Sequence, residues 1–373
     1  MRRRRLLAVL LAFGGGLVVA TQARINGEFG EVAGSATAAA TLSVVSGLVV
    51  LTPIVLAISP LRSAVIAVPT AIRSGALPRW ALLAGGLGGF LVFSQTYSVP
   101  ALGVALYSVL IVAAQTGGGL GVDASGLGPA GKQPVTTARV IGAALAVVAV
   151  GIAAAPDLSQ GALVVSAAVV ALLAGVGAAT QSAMLGRLGV AAGQPLAAIW
   201  VNFAGASLIL AAVLGISTAA GAEWQLPAFG WVWLGGPMGL VVVGTIVIAV
   251  PIAGVLIVTL SLVAGQLLGS VTLDWLAPVA GREVTVWGLV GAVLLMVAVS
   301  IASMPGRWAL SAAARAGSSN PAGPSAGADP PTGAVLPASP QADSSAGGRA
   351  AGSTTSAGSD ETAAVPTWED PDP

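Results

Sequence analysis

Unbroken apolar runs recur from residue 6 to residue 304 of this chain, each about 20 residues long, the length that crosses a bilayer as an α-helix. Charged residues make up only 8% of the sequence and hydrophobic ones 56%, with a mean hydropathy of +0.93. A soluble domain carries about a quarter charged residues, so this chain has too little polar surface to face water. The runs are continuous rather than alternating, which excludes a membrane β-barrel. The fold class that follows is an all-α polytopic membrane protein.

The spans are expected at roughly 6–24, 36–58, 80–97, 100–121 and 137–155, then 162–184, 195–216, 230–248, 251–272 and 285–304. Pro100 and Pro251 each sit between two spans with almost no loop. The arginines at 2–5 precede the first run, a pattern shared with signal peptides. Internal recurrence of the motif that closes this run favours a retained helix. Placing the N-terminus in the cytoplasm and alternating puts Arg62, Arg73, Arg79, Lys132, Arg187, Arg307 and Arg315 inside, with Arg139 at the inner start of the fifth span. Only Arg24 and Arg282 fall outside, and the outer loops around Asp157 and Glu223 carry no Lys or Arg. This bias predicts ten spans in the plasma (inner) membrane with both termini cytoplasmic. From 305 to 373 Ala, Gly, Ser, Pro and Asp dominate, which predicts a disordered cytoplasmic tail, acidic toward Glu369 and Asp370.

Two stretches of this sequence match. Ala20-Thr21-Gln22 and Gly27 recur as Ala179-Thr180-Gln181 and Gly186. In the same order Trp80 matches Trp231, Pro100 matches Pro251, Gly103 matches Gly254, Gln115 matches Gln266, Asp123 matches Asp274 and Gly142 matches Gly291. Five spans per half is an odd number, so the second half enters the membrane from the opposite side. The expected organisation is therefore two inverted-topology five-helix repeats, 1–156 and 157–304, followed by the tail, an architecture typical of secondary transporters.

Gln22-Ala23-Arg24-Ile25-Asn26-Gly27-Glu28 after a glycine-rich first helix resembles the YdcZ-like family of the drug/metabolite transporter superfamily, here as a tandem, fused form. Gly281-Arg282-Glu283, followed by Trp287, Gly288 and Gly291, resembles the closing helix of the wider superfamily. The resemblance covers about residues 6–304. It implies a ten-helix carrier-like fold and says little about chemistry. The second half departs from the pattern, since Ser182-Ala183-Met184-Leu185 replaces Ala23-Arg24-Ile25-Asn26. Small multidrug exporters of the same superfamily use a membrane-embedded Glu. No span here holds an Asp or Glu well inside it, which disfavours proton-coupled export of lipophilic cations by that route. Asp123 and Asp274 fall at helix ends, where a structural role is expected, with gating or coupling as the alternative. Glu28 stands at helical spacing from Arg24 and is expected to pair with it.

Polar groups in hydrocarbon are costly and face the bundle interior or a cavity. Gln22, Asn26, Gln115, Gln181, Asn202 and Gln266 are the candidates for a substrate site, with Gln95 also conspicuous. Amides donate and accept, which suits a neutral or zwitterionic polar solute. The competing role is interhelical hydrogen bonding, common for Gln and Asn in membranes. Tyr107 and Trp200 can pack on a solute or anchor span ends. Glycine pairs such as Gly85-Gly86, Gly88-Gly89 and Gly235-Gly236 point to close helix packing.

The chain has no Cys and no His. Disulfides, Cys/His metal sites and His proton relays are excluded. Tyr97 and Tyr107 are the titratable groups the spans offer, too few for general acid–base catalysis. The glycine-rich run 117–121 lacks the Lys of a phosphate loop, and no cofactor or metal is implied. The expected function is a secondary transporter moving a small metabolite by alternating access, not an enzyme; the alternative is a scaffold or spanning subunit of a larger complex. Expected partners are the lipid bilayer and a small-molecule substrate, with no nucleic acid, in a monomer or homodimer.

Overall fold

Apolar segments without water satisfy their backbone groups internally, and here every segment that can do so is helical. The computed structural model describes residues 2–129, 131–156, 161–278 and 285–303. The tail, Asp157 and the Gly281-Arg282-Glu283 turn lie outside the described residues. The helices are α1 (Arg2–Ala33), α2 (Ala36–Ala57), α3 (Ser59–Arg73), α4 (Ala84–Ser125), α5 (Thr137–Ala154), α6 (Ala162–Ala192), α7 (Pro195–Ala219), α8 (Gly235–Ala253), α9 (Val255–Leu276) and α10 (Val286–Ala302). Short 3₁₀ turns at Arg79–Leu83 and Trp231–Leu234 lead into α4 and α8. Eight helical stretches among the described residues are long and apolar enough to cross a membrane, and α10 is a shorter apolar helix.

Two breaks depart from the expected boundaries. Pro100 and Pro251 lie inside helices, and the chain turns three residues later, at Gly103 and Gly254. Their φ,ψ values, 77°,167° and 87°,154°, nearly coincide. A proline removes one donor, whereas only glycine adopts a positive φ without a Cβ clash. The Ser94 and Tyr107 hydroxyls lie 2.8 Å apart across the Gly103 break. In a continuous helix, residues 13 apart stand about 20 Å apart, so the two legs of α4 fold back on each other.

Residues 59–79, left between spans by hydropathy, form α3 over most of their length. This helix buries Leu61, Ala64 and Val68 and exposes Arg62 and Arg73. It is amphipathic rather than spanning, which whole-window hydropathy does not register.

Small residues set the helix contacts, as expected where lipid tails remove any hydrophobic drive for helix association. Gly16 of α1 lies against Leu262, Gly265 and Gln266 of α9, and Gly175 of α6 lies against Ile111, Ala114 and Gln115 of α4. Gly142 of α5 packs on Ala298 and Ala302 of α10, while Gly291 of α10 packs on Ala149 and Ala153 of α5. Gly85 rests on Gly205 and Ala206, and Gly236 on Ser46 and Gly47. Along α1, Asn26, Gln22 and Gly15 meet Gly235, Gly239 and Thr245 of α8 in turn, so these two helices run antiparallel. The N-cap hydroxyls of Thr136 and Thr285 accept from Arg139 N and Gly288 N and start α5 and α10 at matched positions.

Candidate functional site

A cavity of about 370 Å³ lies between the legs of α4 and helices α1, α2, α6, α7, α8 and α9. Gln22 reaches it from α1, Gln115 from the second leg of α4, Gln181 from α6, Asn202 from α7 and Gln266 from α9. The two matched glutamine pairs, distant from each other in the chain, thus face one space. Gln95, Tyr107 and Ser182 also line it, among apolar side chains such as Leu185, Phe203 and Ile246. No charged side chain is part of the lining.

Asn26 is the exception among the candidate residues. It is fully buried and outside the cavity lining. Its Nδ2 donates to Gln95 Oε1 at 2.6 Å, and its Oδ1 accepts from Ser43 Oγ at 2.8 Å. This bond set ties α1, α4 and α2 together just beyond Gln22. The same end is closed further by Thr96 Oγ1 donating to Ala36 O, by the Phe29 and Trp233 rings at 5.3 Å, and by Gln225 Nε2 donating to Val32 O.

The other end is open. Gln115, Ser182 and Ile246 are the exposed members of the lining. Ile246 follows Thr245, which packs on Gly15, on the N-terminal side of Gln22 along α1. Near the end of α6, Arg187 donates from Nε to Leu127 O and from Nη2 to Gly126 O, and its guanidinium sits 5.6 Å from the Trp80 ring centroid. Sequence reasoning had no signal for these carbonyl contacts.

Within the cavity Gln181 Nε2 donates to Asn202 Oδ1 at 3.2 Å. Gln22, Gln115 and Gln266 have no side-chain hydrogen bond to any described residue. Each of these three amides presents two donors and a two-lone-pair acceptor to the space. Such a surface recognises a polar solute without selecting for net charge. Trp200, by contrast, is not part of the lining, and its Nε1 donates to Thr52 Oγ1 at 3.0 Å.

The two aspartates differ. Asp274 is buried, and its carboxylate accepts from Val104 N at 3.0 Å and Ala105 N at 2.6 Å. Asp123 pairs with Arg139 at 2.8 Å, the ion pair present among the described residues. Arg24 and Glu28, expected to pair, interact electrostatically without forming a close ion pair among the described residues, and Arg24 also acts on Asp274. Among the described residues there is no cluster of three acidic side chains able to hold a metal ion.

The family model described as "Putative inner membrane exporter, YdcZ" matches residues 7–152 and 166–301. The chain belongs to the DMT_YdcZ family. No curated protein and no solved structure matches it. Membership of DMT_YdcZ makes it a multi-pass membrane protein of a transporter class rather than an enzyme. The two matched stretches of the DMT_YdcZ model begin near the starts of α1 and α6.

Proposed function

We propose that this chain is a secondary transporter that moves a small neutral or zwitterionic polar metabolite across the plasma membrane by alternating access. The observation that carries the reading is the meeting of Gln22, Gln115, Gln181 and Gln266, two matched pairs from distant parts of the chain, on one cavity free of charged side chains. Glutamines that served only as bridges between helices would be bonded to their neighbours, and three of these four have no side-chain hydrogen bond to a described residue.

The transport cycle follows from an inverted repeat. In this reading the two legs of α4 count as separate spans and α10 is a span, which makes ten in halves 1–156 and 157–304. Matched contacts support the two-fold relation. Gly16 meets Leu262, Gly265 and Gln266, and its counterpart Gly175 meets their counterparts Ile111, Ala114 and Gln115. Gly85 and Gly236 rest on the matched pairs Gly205–Ala206 and Ser46–Gly47. Two halves so related exchange conformations, which alternates the open end. With the N-terminus cytoplasmic, the end open here faces inward.

The test uses the absence of cysteine. Single cysteines at Gln22, Gln115, Gln181 and Gln266 are treated with a membrane-impermeant thiol reagent from each side. Labelling of the same positions from both sides is expected. Absence of labelling from either side in folded protein returns the amides to a bridging role in a scaffold.

A further inference from the structure

Asp274 does for the Gly103 break what an N-cap side chain does for a helix. The leg of α4 that begins after Gly103 exposes its first amides at the turn, and the buried carboxylate takes two of them, from Val104 and Ala105. Asp274 comes from α9, on the other half of the chain. The contact therefore clamps the turn of one hairpin to the helix of the other, at the sealed end of the cavity. Arg24 stands in electrostatic reach, on α1.

The matched break lacks this clamp. Gly254 has nearly the backbone angles of Gly103, yet α9 starts there with no side-chain cap. Asp123, the counterpart of Asp274, is instead 42% exposed and held by Arg139. Arg139 matches Gly288 and Arg24 matches Ala183, so the surroundings of the two carboxylates are not copies of each other. One carboxylate caps a helical break, and the other is paired with Arg139.

We infer that Asp274 and Asp123 are alternating latches. Asp274 caps the Gly103 break while that end is sealed, and Asp123 leaves Arg139 to cap the Gly254 break when the opposite end seals. The inference rests on the inverted-repeat transport cycle proposed above. It deepens that cycle by naming the side chains that hold each end state. Both are positioning residues, since neither lines the cavity.

The test measures distances between spin labels at the two ends of the full chain, in phosphatidylethanolamine–phosphatidylglycerol vesicles. One pair, Val32→Cys with Leu163→Cys, spans the sealed end; a second, Leu6→Cys with Val190→Cys, spans the open end. All four positions are exposed, at 40%, 61%, 59% and 73%. The parent chain is expected to show two distances at each end, with the short one dominant at the sealed end. Asp274→Ala shifts the sealed-end population severalfold toward the long distance and the open-end population toward the short one. Asp274→Asn keeps an oxygen acceptor and shifts both less. Asp123→Ala moves both the opposite way. Asp123 is exposed, so its variant reports even where Asp274→Ala does not fold. Two distances that respond to neither aspartate, or to both in the same direction, overturn the latches and leave the transport cycle standing. A single distance at both ends overturns the cycle itself, and the latches with it.

Discussion

Asn26 donates to Gln95 at 2.6 Å between buried side chains, and Ser43 completes the set at 2.8 Å. The register that matches Gln22 with Gln181 matches Asn26 with Leu185, and the one that matches Pro100 with Pro251 matches Gln95 with Ile246. One end of the cavity is thus bonded by amides where the other offers apolar side chains. Replacing Asn26 by Leu leaves Gln95 and Ser43 buried without their partner. It is expected to lower stability by about 1–2 kcal/mol, the range for a lost interhelical bond that strands a partner. Thermal unfolding in detergent of Asn26→Leu, Gln95→Leu and the double variant measures this. The double variant is expected to be less destabilised than the sum of the singles.

The cavity glutamines are expected to behave in the opposite way. Gln22, Gln115 and Gln266 have no side-chain bond to a described residue, so Ala at each position removes no protein–protein bond. Each single variant is expected to unfold within about 0.5 kcal/mol of the parent. Gln181→Ala strands Asn202 and is expected to lose about 1 kcal/mol. If all four glutamines lose stability equally, they are bridges, and the polar cavity has no recognition role.

The all-helical membrane-spanning class, with eight long apolar helices among the described residues, was legible because it rests on composition. Four features were not. The turns fall at Gly103 and Gly254 rather than at the prolines, because the deciding quantity is a positive φ that only glycine tolerates. The sequence sets Asn26 one helical turn from Gln22, which points to a place beside it in the site. A side chain's neighbours depend on helix rotation, and here rotation buries Asn26 against α2 and α4. Asp274 was recognisable by its match to Asp123, yet its partners are backbone amides of Val104 and Ala105, which carry no side-chain signature. The short helix α3 was missed because Pro60, Pro69 and its arginines lower the hydropathy of a segment whose buried face is narrow.

Glycine at the α1–α9 crossing is a packing requirement. A Cβ on Gly16 would overlap the Leu262 carbonyl oxygen, and one on Gly265 would overlap that of Phe13. Backbone atoms cannot step aside as side-chain tips do. Gly16→Ala is expected to destabilise by roughly 1–3 kcal/mol, the usual range for overpacking. Gly117→Ala serves as the control. Nothing lies within 4 Å of its Cβ position, so the change is expected to be neutral or to stabilise by up to about 1 kcal/mol through lower chain entropy. Paired thermal unfolding curves decide the point, and equal losses at both sites would show that helix propensity rather than close approach governs them.

Arg187 shows why a basic residue near the membrane surface need not be only a topology signal. Its guanidinium donates to the Gly126 and Leu127 carbonyls at 2.8 Å and 2.7 Å, where α4 ends and those oxygens lack helical donors. It also lies over the Trp80 ring. The planar fork serves two acceptors at once while its face stacks, which an ammonium group cannot reproduce. Arg187→Lys keeps the charge and is nevertheless expected to lose about 1–2 kcal/mol, with Arg187→Ala losing about 2–3 kcal/mol. Topology mapping by cysteine accessibility on both variants separates the two roles. An unchanged topology with lowered unfolding temperature fits a capping residue, whereas full stability in Arg187→Lys would reduce Arg187 to its charge.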